Sequence, residues 1–322
     1  MGEESTPIGT VTLTGAFSYT GKYATRLLLD RGFRVRTLTN HPDRNDPFGG
    51  QVEVLPYRFE DPQGLSQSLR GSSVLINTYW VRFPRGQSTF KSAVENTRAL
   101  ITAAKNAGVK RVVHVSIANP SGESLLGYYR GKAELEQAVI DSGLSYTILR
   151  PTVIFGTEDI LINNIGWFIR RFPVFGIPGN GRYRIRPIYV EDIARLIADA
   201  ADQSGNSVLD AVGPETFTFE ELVKLVARQV GRSPRLIHMP AALAYLSTVV
   251  TGWFVRDVIL TWDEYQGLMG DLLAPDGPAS GQTSLTQWLA ENRDRVGMRY
   301  ASEVARHYTE ARRGRVDTLN CV

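Results

Sequence analysis

The sequence predicts an α/β protein built on a Rossmann-type, doubly wound parallel sheet with a smaller, mostly helical C-terminal region. Three observations support this fold class. Apolar β-prone runs alternate with helical runs through the first half, a glycine-containing loop follows the first strand, and the alternation stops at Pro151. Strands that alternate with helices form βαβ units, whose strands pair in parallel.

The individual elements follow from residue type and punctuation. The strand-like runs cover 8–14, 33–39, 73–78, 111–116 and 145–149, and the helix-like runs cover 21–31, 88–107 and 123–140. A further helix is predicted over 190–201, and a short strand over 207–209. Capping boxes at Thr218/Glu221 and Thr261/Glu264 predict two helix starts, and the charged tail 285–313 predicts a last helix.

These patterns divide the chain into two predicted domains. Residues 1–155 form the dinucleotide-binding Rossmann domain, which is continued by about 186–212. Residues 156–185 and 213–322 form a smaller region that binds substrate or covers it. The alternation closes at Pro151, and the irregular run FPVFGIPGNG follows within the smaller region.

Composition narrows the classes of function. The 322 residues include 36 basic and 33 acidic side chains, which give a net charge of +3. The basic residues are scattered, so we expect no nucleic-acid partner. The single cysteine, Cys321, excludes an internal disulfide and a cysteine metal cluster, and we expect no metal. The polar start MGEESTPIG is unlike a signal peptide, which predicts a cytoplasmic location.

The longest uncharged run, from Leu236 to Val255, has two interpretations. Its more apolar part, Pro240 to Val255, is too short to span a membrane. It is either a buried helix or pocket wall, or a helix that lies on a membrane surface.

The segment VTLTGAFSYTGKY predicts a pyrophosphate-binding loop. It places Gly15, Ser18 and Gly21 at the three positions of a G-x-x-G-x-x-G pattern, between a strand and a helix. Glycines let the backbone approach the pyrophosphate, and the helix N-terminus offers N–H groups. Ser18 stands where glycine is usual, and its hydroxyl offers a phosphate contact. The other predicted contacts in this loop are Phe17, Tyr19 and Thr20.

The end of the second strand bears on the choice of cofactor. NAD sites carry an acidic residue there that holds the ribose 2′-hydroxyl. Here the strand ends Leu38-Thr39-Asn40-His41, and Arg44 follows. His41 and Arg44 suit a 2′-phosphate, unless they belong to a solvated loop. We therefore predict NADP(H) as the preferred cofactor, with NAD(H) as the alternative.

Tyr128 and Lys132 form a Tyr-x-x-x-Lys pair, whose spacing places both side chains on one helix face. A nearby ammonium lowers the pKa of a phenol, so such a tyrosine gives a proton to a carbonyl oxygen as hydride arrives. Ser116, at the end of RVVHVS, is the candidate that orients this oxygen. Asn119 and Ser121 compete with Ser116, and Tyr129 competes with Tyr128.

Several ordered segments resemble the atypical short-chain dehydrogenase/reductases, including NmrA-type regulators and the nucleotide-binding accessory subunit of respiratory complex I. They are TGAFSYTG, RVVHVS, YYRGKAELE, GLSYTILRPTVIFG and RPIYVEDIA. The resemblance implies a catalytic Tyr128/Lys132 pair, with Lys132 also holding the ribose. It implies further cofactor contacts at Thr39, Asn40 and His41 near the ribose, Asn77 and Thr78 beside the cofactor, and Pro151, Thr152 and Val153 by the nicotinamide.

Aromatic side chains suggest an apolar substrate. Tyr79 and Trp80 follow the strand SVLINT, and Asn163 and Trp167 lie in a later apolar segment. A pocket with few polar groups is typical of small-molecule sites, although core packing explains the same residues equally well.

Three functions are compatible with these features. The leading one is an NAD(P)H-dependent oxidoreductase that transfers hydride to or from an apolar carbonyl or quinone-like molecule. The second is a non-catalytic NADP(H) sensor or assembly factor, with the basic tail meeting a protein complex or a membrane surface. The third is a sugar-nucleotide epimerase or dehydratase that retains NAD.

Overall fold

The computed structural model describes residues 8–40, 46–302 and 304. The described chain divides into two compact units. The first contains the described residues up to Arg150 together with Ile193–Leu209, and the second contains Pro151–Asp192 and the described residues from Asp210 onward. In the described residues, no helix combines the length and the hydropathy that crossing a bilayer requires.

The strands and helices follow in chain order. The strands are β1 (Thr10–Thr14), β2 (Arg34–Leu38), β3 (Val52–Leu55), β4 (Val74–Asn77), β5 (Arg111–Val115), β6 (Ser145–Pro151), β7 (Ile154–Phe155), β8 (Val174–Pro178), β9 (Arg184–Ile185), β10 (Ile188–Tyr189), β11 (Ser207–Ala211), β12 (Phe217–Thr218) and β13 (Arg235–Met239). The helices are α1 (Tyr19–Asp30), α2 (Pro62–Leu69), α3 (Phe90–Asn106), α4 (Gly127–Asp141), α5 (Leu161–Arg171), α6 (Val190–Asp202), α7 (Phe219–Gln229), α8 (Ala241–Val255), α9 (Trp262–Met269) and α10 (Leu285–Asn292).

The predicted Rossmann-type parallel sheet is confirmed. Seven strands lie in the order β11-β6-β5-β4-β1-β2-β3, and β1 to β6 pair in parallel. The strands read as apolar runs because helices cover a parallel sheet on both faces: Val11, Leu13, Leu75 and Ile76 are fully buried. The strand order reverses between β1 and β4, and ligands bind at such a switch point, beyond the carboxyl ends of the strands.

The second unit combines short strand pairs with helices. β7 pairs with β10, β9 with β12 and β8 with β13. Its core contains residues from α5, α7 and α10, among them Ile165, Leu222 and Trp288. The predicted capping boxes are both present: Thr218 accepts from the backbone of Glu221, and Thr261 accepts from that of Glu264.

Two predictions in this unit need correction. The tail helix predicted over 285–313 ends at Asn292, and the part beyond residue 304 lies outside the described residues. Gly297 has φ +71°, and a Cβ on it would lie 2.3 Å from the Gly166 carbonyl carbon, so the chain turns here. The interpretation of Pro240–Val255 as a buried helix is also wrong, because in α8 only Ala244 and Gly252 are buried.

Candidate dinucleotide and active site

The loop between β1 and α1 requires glycine at two of its three pattern positions. Gly15 has φ +71°, a conformation that favours glycine. Its carbonyl accepts from the backbone N–H of Ser18 at 2.9 Å. A Cβ on Gly21 would lie 2.0 Å from that carbonyl oxygen. The turn therefore closes only with glycine at 21, and it brings the first backbone N–H groups of α1 to the sheet edge.

Ser18, in the middle of the pattern, is the N-cap of α1. Its Oγ accepts from the backbone N–H of Gly21 at 3.3 Å. Phe17, Tyr19 and Thr20 are half-buried around it, and Phe17 stacks on Phe48 with 6.2 Å between ring centres. The serine that replaces the usual glycine thus contributes to the start of the helix.

The carboxyl end of β4 is fixed to β1 through Thr14. The backbone N–H of Thr78 donates to Thr14 Oγ1 at 2.8 Å, and the Thr78 hydroxyl donates to the Thr14 carbonyl. Asn77 is fully buried beside them and accepts from Thr14 Oγ1 at 3.2 Å and from the backbone N–H of Tyr79 at 3.1 Å. Asn77 and Thr78 therefore line the switch point between the two strands.

His114 on β5 extends this buried network. Because Asn77 Oδ1 accepts two hydrogen bonds, its Nδ2 is the group that donates to His114 Nδ1, 3.0 Å away. The imidazole therefore carries its proton on Nε2, a buried atom without a hydrogen-bond partner in the described part of the chain. Burial first, and then the charge of Lys132, lowers the pKa of His114 to about 3, so the ring is neutral.

The end of β2 holds two of the four residues predicted near the ribose. Thr39 is buried, and its backbone N–H donates to the Leu55 carbonyl at 2.9 Å. Asn40 is half-buried. His41 and Arg44 lie outside the described residues.

Lys132 of α4 lies under the carboxyl end of β5. Its Nζ donates to the Val115 carbonyl at 3.1 Å and lies 4.7 Å from the centre of the Trp80 ring. The side chain is 3% exposed. Burial lowers the pKa of Lys132 from the ordinary value of 10.5 to about 7, against the opposing effect of Glu136. Glu136 also pairs with Arg150 at 2.6 Å.

Tyr128 lies one helical turn before Lys132, in a set of packed aromatic rings. Its ring makes edge contacts with Trp80 at 5.4 Å and Phe90 at 5.9 Å between centres, and it is half-buried. Gly131 makes this packing possible, because a Cβ there would lie 2.8 Å from Trp80 Cη2. The structure therefore brings Tyr128, Lys132 and Trp80 together.

Ser116 follows β5 directly and is buried, and its Oγ has no hydrogen-bond partner in the described residues. Its competitors differ. Asn119 is exposed with φ 51°, and Ser121 is exposed and accepts from the backbone N–H of Glu123 at 3.2 Å. Of the three, Ser116 is thus the buried one, with a hydroxyl that lacks a hydrogen-bond partner in the described residues.

Two other tyrosines pack into the first unit. Tyr79 is buried against Tyr57 and Phe59, and its hydroxyl accepts from Asn96 Nδ2 at 3.0 Å. Tyr129, the competitor of Tyr128, is buried. Tyr79 therefore supports the wall behind Asn77.

The remaining predicted residues belong to the second unit. Pro151 ends β6, the Thr152 hydroxyl donates to the Arg186 carbonyl, and Val153 packs on the core. The Asn163 amide donates to Asp159 Oδ2 at 3.0 Å and accepts from the Gly297 N–H at 3.3 Å. Trp167 packs against Tyr300, with 5.3 Å between ring centres. Asn163 thus joins two parts of its own unit.

Comparisons with known proteins agree with this architecture. A family model described as NAD(P)H-binding matches residues 15–166. A ceramide reductase of Caulobacter vibrioides is 30% identical over 237 residues, which cover 72% of this chain and 74% of the relative. The chain belongs to the atypical short-chain dehydrogenase/reductase superfamily.

Other similar proteins lie in the same superfamily or share its fold. The mitochondrial NADH dehydrogenase [ubiquinone] 1 alpha subcomplex subunit 9 of Arabidopsis thaliana is 26% identical over 284 residues, which cover 82% of this chain and 71% of the relative. An NADPH-dependent quinone oxidoreductase from Escherichia coli, solved with NADPH, has a TM-score of 0.70 at 22% identity and covers 88% of this chain and 98% of that chain. The latter shows the shared fold.

The residues of the first unit fit the dinucleotide that this superfamily binds. The glycine turn holds backbone N–H groups at the switch point, as a pyrophosphate requires. The Ser116 hydroxyl is a buried polar atom that lacks a partner in the described chain.

The sequence did not single out His114, Phe90 or Gly131 as residues of the site. A histidine inside an apolar strand and a glycine inside a helix carry no distinguishing pattern.

Proposed function

We propose that this chain is an NAD(P)H-dependent reductase of an apolar carbonyl or quinone-like molecule, in which Tyr128 is the proton donor. The observation that carries the proposal is the placement of Lys132. Its ammonium is buried under the end of β5, one helical turn from Tyr128 and over the Trp80 ring. Burying an ammonium is costly, and a catalytic role explains why the chain retains one here.

The proposed roles follow from the chemistry of each side chain. When bound, the nicotinamide supplies a hydride to the carbonyl carbon of the substrate. The Tyr128 hydroxyl gives its proton to the carbonyl oxygen, which becomes the alcohol, and Tyr128 regains a proton from solvent. The Lys132 ammonium stabilises the phenolate that forms in between. The Ser116 hydroxyl donates to the substrate oxygen, because it has no partner in the described chain.

The surroundings of Tyr128 favour an apolar substrate. Trp80 and Phe90 present ring carbons around the phenol. Two similar proteins are named as a ceramide reductase and a quinone oxidoreductase, and ceramides and quinones are apolar molecules. Small polar carbonyls should therefore be poor substrates of this chain.

For the cofactor, we propose a preference for NADPH. The end of β2 carries Thr39 and Asn40 in place of an acidic residue, and His41 and Arg44 follow in the sequence. A guanidinium favours the 2′-phosphate of NADPH over the 2′-hydroxyl of NADH. Arg44→Ser should weaken NADPH binding and leave NADH binding unchanged. Tighter binding of NADH than NADPH to the unaltered protein contradicts the preference.

The test of the reductase is NADPH oxidation with a panel of quinones and long-chain carbonyls. Tyr128→Phe should abolish turnover and keep NADPH affinity, since it removes a single hydroxyl. The matched control is Tyr146→Phe, a half-buried tyrosine on β6, which should keep turnover. Equal turnover in Tyr128→Phe and the unaltered protein excludes Tyr128 as the proton donor.

A second function is favoured by one comparison. The similar protein from Arabidopsis thaliana is named as a subunit of NADH dehydrogenase. A non-catalytic NAD(P)H-binding subunit or assembly factor would bind NADPH without turnover of any panel member. It would also migrate in a large complex that Tyr128→Phe leaves intact, whereas a Gly21 variant that loses NADPH would not.

A further inference from the structure

Helix α8 is built with its large apolar side chains outward. Leu243, Leu246, Val249, Val250, Trp253 and Phe254 are all exposed, with Trp253 at 80% and Phe254 at 76%. At 3.6 residues per turn these six positions span an arc of about 140°. The opposite face carries Ala244, Thr248 and Gly252 together with the half-buried Tyr245 and Val255. Helix α8 packs against β8.

This arrangement reverses the usual pattern of a surface helix, in which the apolar stripe faces the core. No charged residue interrupts the exposed arc, because the sequence from Leu236 to Val255 contains no Lys, Arg, Asp or Glu. A continuous exposed apolar patch of this kind marks a surface that is covered in the functional state.

The charge around α8 indicates what covers it. Residues 222–256 contain no acidic residue and five basic ones. The five are all exposed: Lys224, Arg228, Arg232, Arg235 and Arg256.

Glu220 and Glu221 precede this segment, and Asp257 follows it. Glu220 pairs with Lys224 at 2.6 Å and with His238 at 2.8 Å. Asp257 is buried and accepts from the Tyr300 hydroxyl at 2.8 Å. The segment 222–256 itself therefore carries a net positive charge, which complements an anionic surface.

We propose that α8 is an interfacial membrane helix that inserts its Leu243–Phe254 face into the headgroup region of an anionic bilayer. Fifteen residues make a helix of about 22 Å, less than the roughly 30 Å hydrocarbon core of a bilayer. The helix therefore lies along the surface. Helices that lie at a bilayer interface carry tryptophan and phenylalanine on their apolar face and basic residues beside it, as α8 does. This proposal does not depend on the proposed reductase activity.

The experiment is flotation of the full-length protein with vesicles of phosphatidylcholine, with and without phosphatidylglycerol. We expect the protein to float with the anionic vesicles, less with the neutral ones, and less at high salt. The double variant Trp253→Ser/Phe254→Ser should lower the partition coefficient by about tenfold or more, because it removes two large apolar side chains from the interface. The control Leu125→Ser, which replaces a side chain of the first unit that is 95% exposed, should float like the unaltered protein.

A second pair of variants separates charge from apolar insertion. Arg232→Gln/Arg235→Gln should weaken flotation with phosphatidylglycerol vesicles and leave that with neutral vesicles unchanged. Far-UV circular dichroism and NADPH affinity should be unchanged in all variants and thus show intact folding.

Three outcomes overturn the proposal. The unaltered protein stays unbound with anionic vesicles, or the Trp253/Phe254 double variant floats as well as the unaltered protein. Alternatively, sedimentation shows a dimer that the double variant loses, so that a second copy of the chain covers α8. None of these outcomes bears on NADPH turnover, so they are distinguishable from failure of the reductase proposal.

Discussion

The Lys132 ammonium lies 4.7 Å from the centre of the Trp80 ring, and the helix that carries Lys132 has a glycine at the point where the same ring touches it. The ring faces attract a cation, while the ring body occupies space in which water would otherwise solvate the ammonium. The second effect dominates, since burial holds the pKa of Lys132 at about 7. Gly131, Trp80 and Lys132 therefore act as one unit, and a change in any of them alters the others.

Gly131→Ala tests this coupling. An alanine in a helix is ordinarily more stable than glycine by up to about 1 kcal/mol. Here its Cβ would lie 2.8 Å from Trp80 Cη2, so the ring must move. We expect a loss of about 1–3 kcal/mol in the free energy of unfolding, as in other overpacked cores, together with loss of turnover.

The matched control for Gly131→Ala is Gly122→Ala. Gly122 has no neighbouring atom within 4 Å of its ideal Cβ, and its φ is not positive. Urea unfolding and NADPH oxidation measure both variants. If Gly131→Ala unfolds at the same urea concentration as the unaltered protein and keeps its turnover, the close contact between Trp80 and Gly131 affects neither stability nor activity.

The pKa of Lys132 predicts the pH dependence of turnover. A lysine is charged below its pKa, and only the charged form stabilises a Tyr128 phenolate. With a pKa of about 7, kcat should be maximal below this pH and fall as the pH rises through it. Lys132→Arg keeps its charge to far higher pH, so its falling limb should move to higher pH, although its maximal rate is lower.

The measurement is kcat against pH on both sides of neutrality, with NADPH affinity recorded at each point as the control for cofactor binding. A flat or rising profile through this range is incompatible with a proton-donating Tyr128 supported by Lys132. A falling limb that stays in place in Lys132→Arg assigns the titration to another group.

The same pKa predicts how stability depends on pH. The unfolded chain holds the Lys132 proton up to about pH 10, whereas the folded chain releases it at about 7. The unfolded state therefore binds more protons between these values, so the contribution of Lys132 to the free energy of unfolding rises with pH. Between pH 7 and 9 this rise amounts to up to about 2 kcal/mol.

Lys132→Met removes the titrating group and should abolish that part of the rise. The comparison is urea unfolding of both proteins at the two pH values, with Lys91→Met as the control, since Lys91 is an exposed lysine on α3. An identical pH dependence of stability in Lys132→Met and the unaltered protein shows that Lys132 has an ordinary pKa in the folded state.

The sequence predicted most of the Rossmann core because its strands are buried on both faces and read as apolar runs. It missed β3 and α2. Val52–Leu55 has four residues with Glu53 among them and pairs only with β2 at the sheet edge, so neither an apolar run nor a clear alternation marks it. The α2 helix has eight residues, and its start depends on the Asp61 side chain, which accepts from the Gly64 N–H.

The site was predictable where it depends on spacing along the chain and not where it depends on packing between elements. Tyr128 and Lys132 share a helix face by their spacing alone. The contact of Trp80 with Gly131 joins two elements that are far apart in sequence. In the same way, the apolar composition of α8 predicts a helix, but which of its faces is covered depends on how the helix packs against β8 and α9.

Ser18 has two candidate roles, the phosphate contact that the sequence predicts and the helix cap that the structure shows. Ser18→Ala removes the acceptor for the Gly21 N–H and should cost about 1 kcal/mol of stability, whereas glycine at an N-cap costs only a few tenths. If the hydroxyl is only a cap, Ser18→Gly keeps both stability and NADPH affinity, and Ser18→Ala loses stability. If the hydroxyl also binds phosphate, both variants lose NADPH affinity by a similar factor. Urea unfolding together with NADPH titration of the two variants therefore assigns the role. A cap alone lowers the stability of Ser18→Ala and leaves NADPH affinity unchanged, whereas a phosphate contact lowers NADPH affinity in both variants.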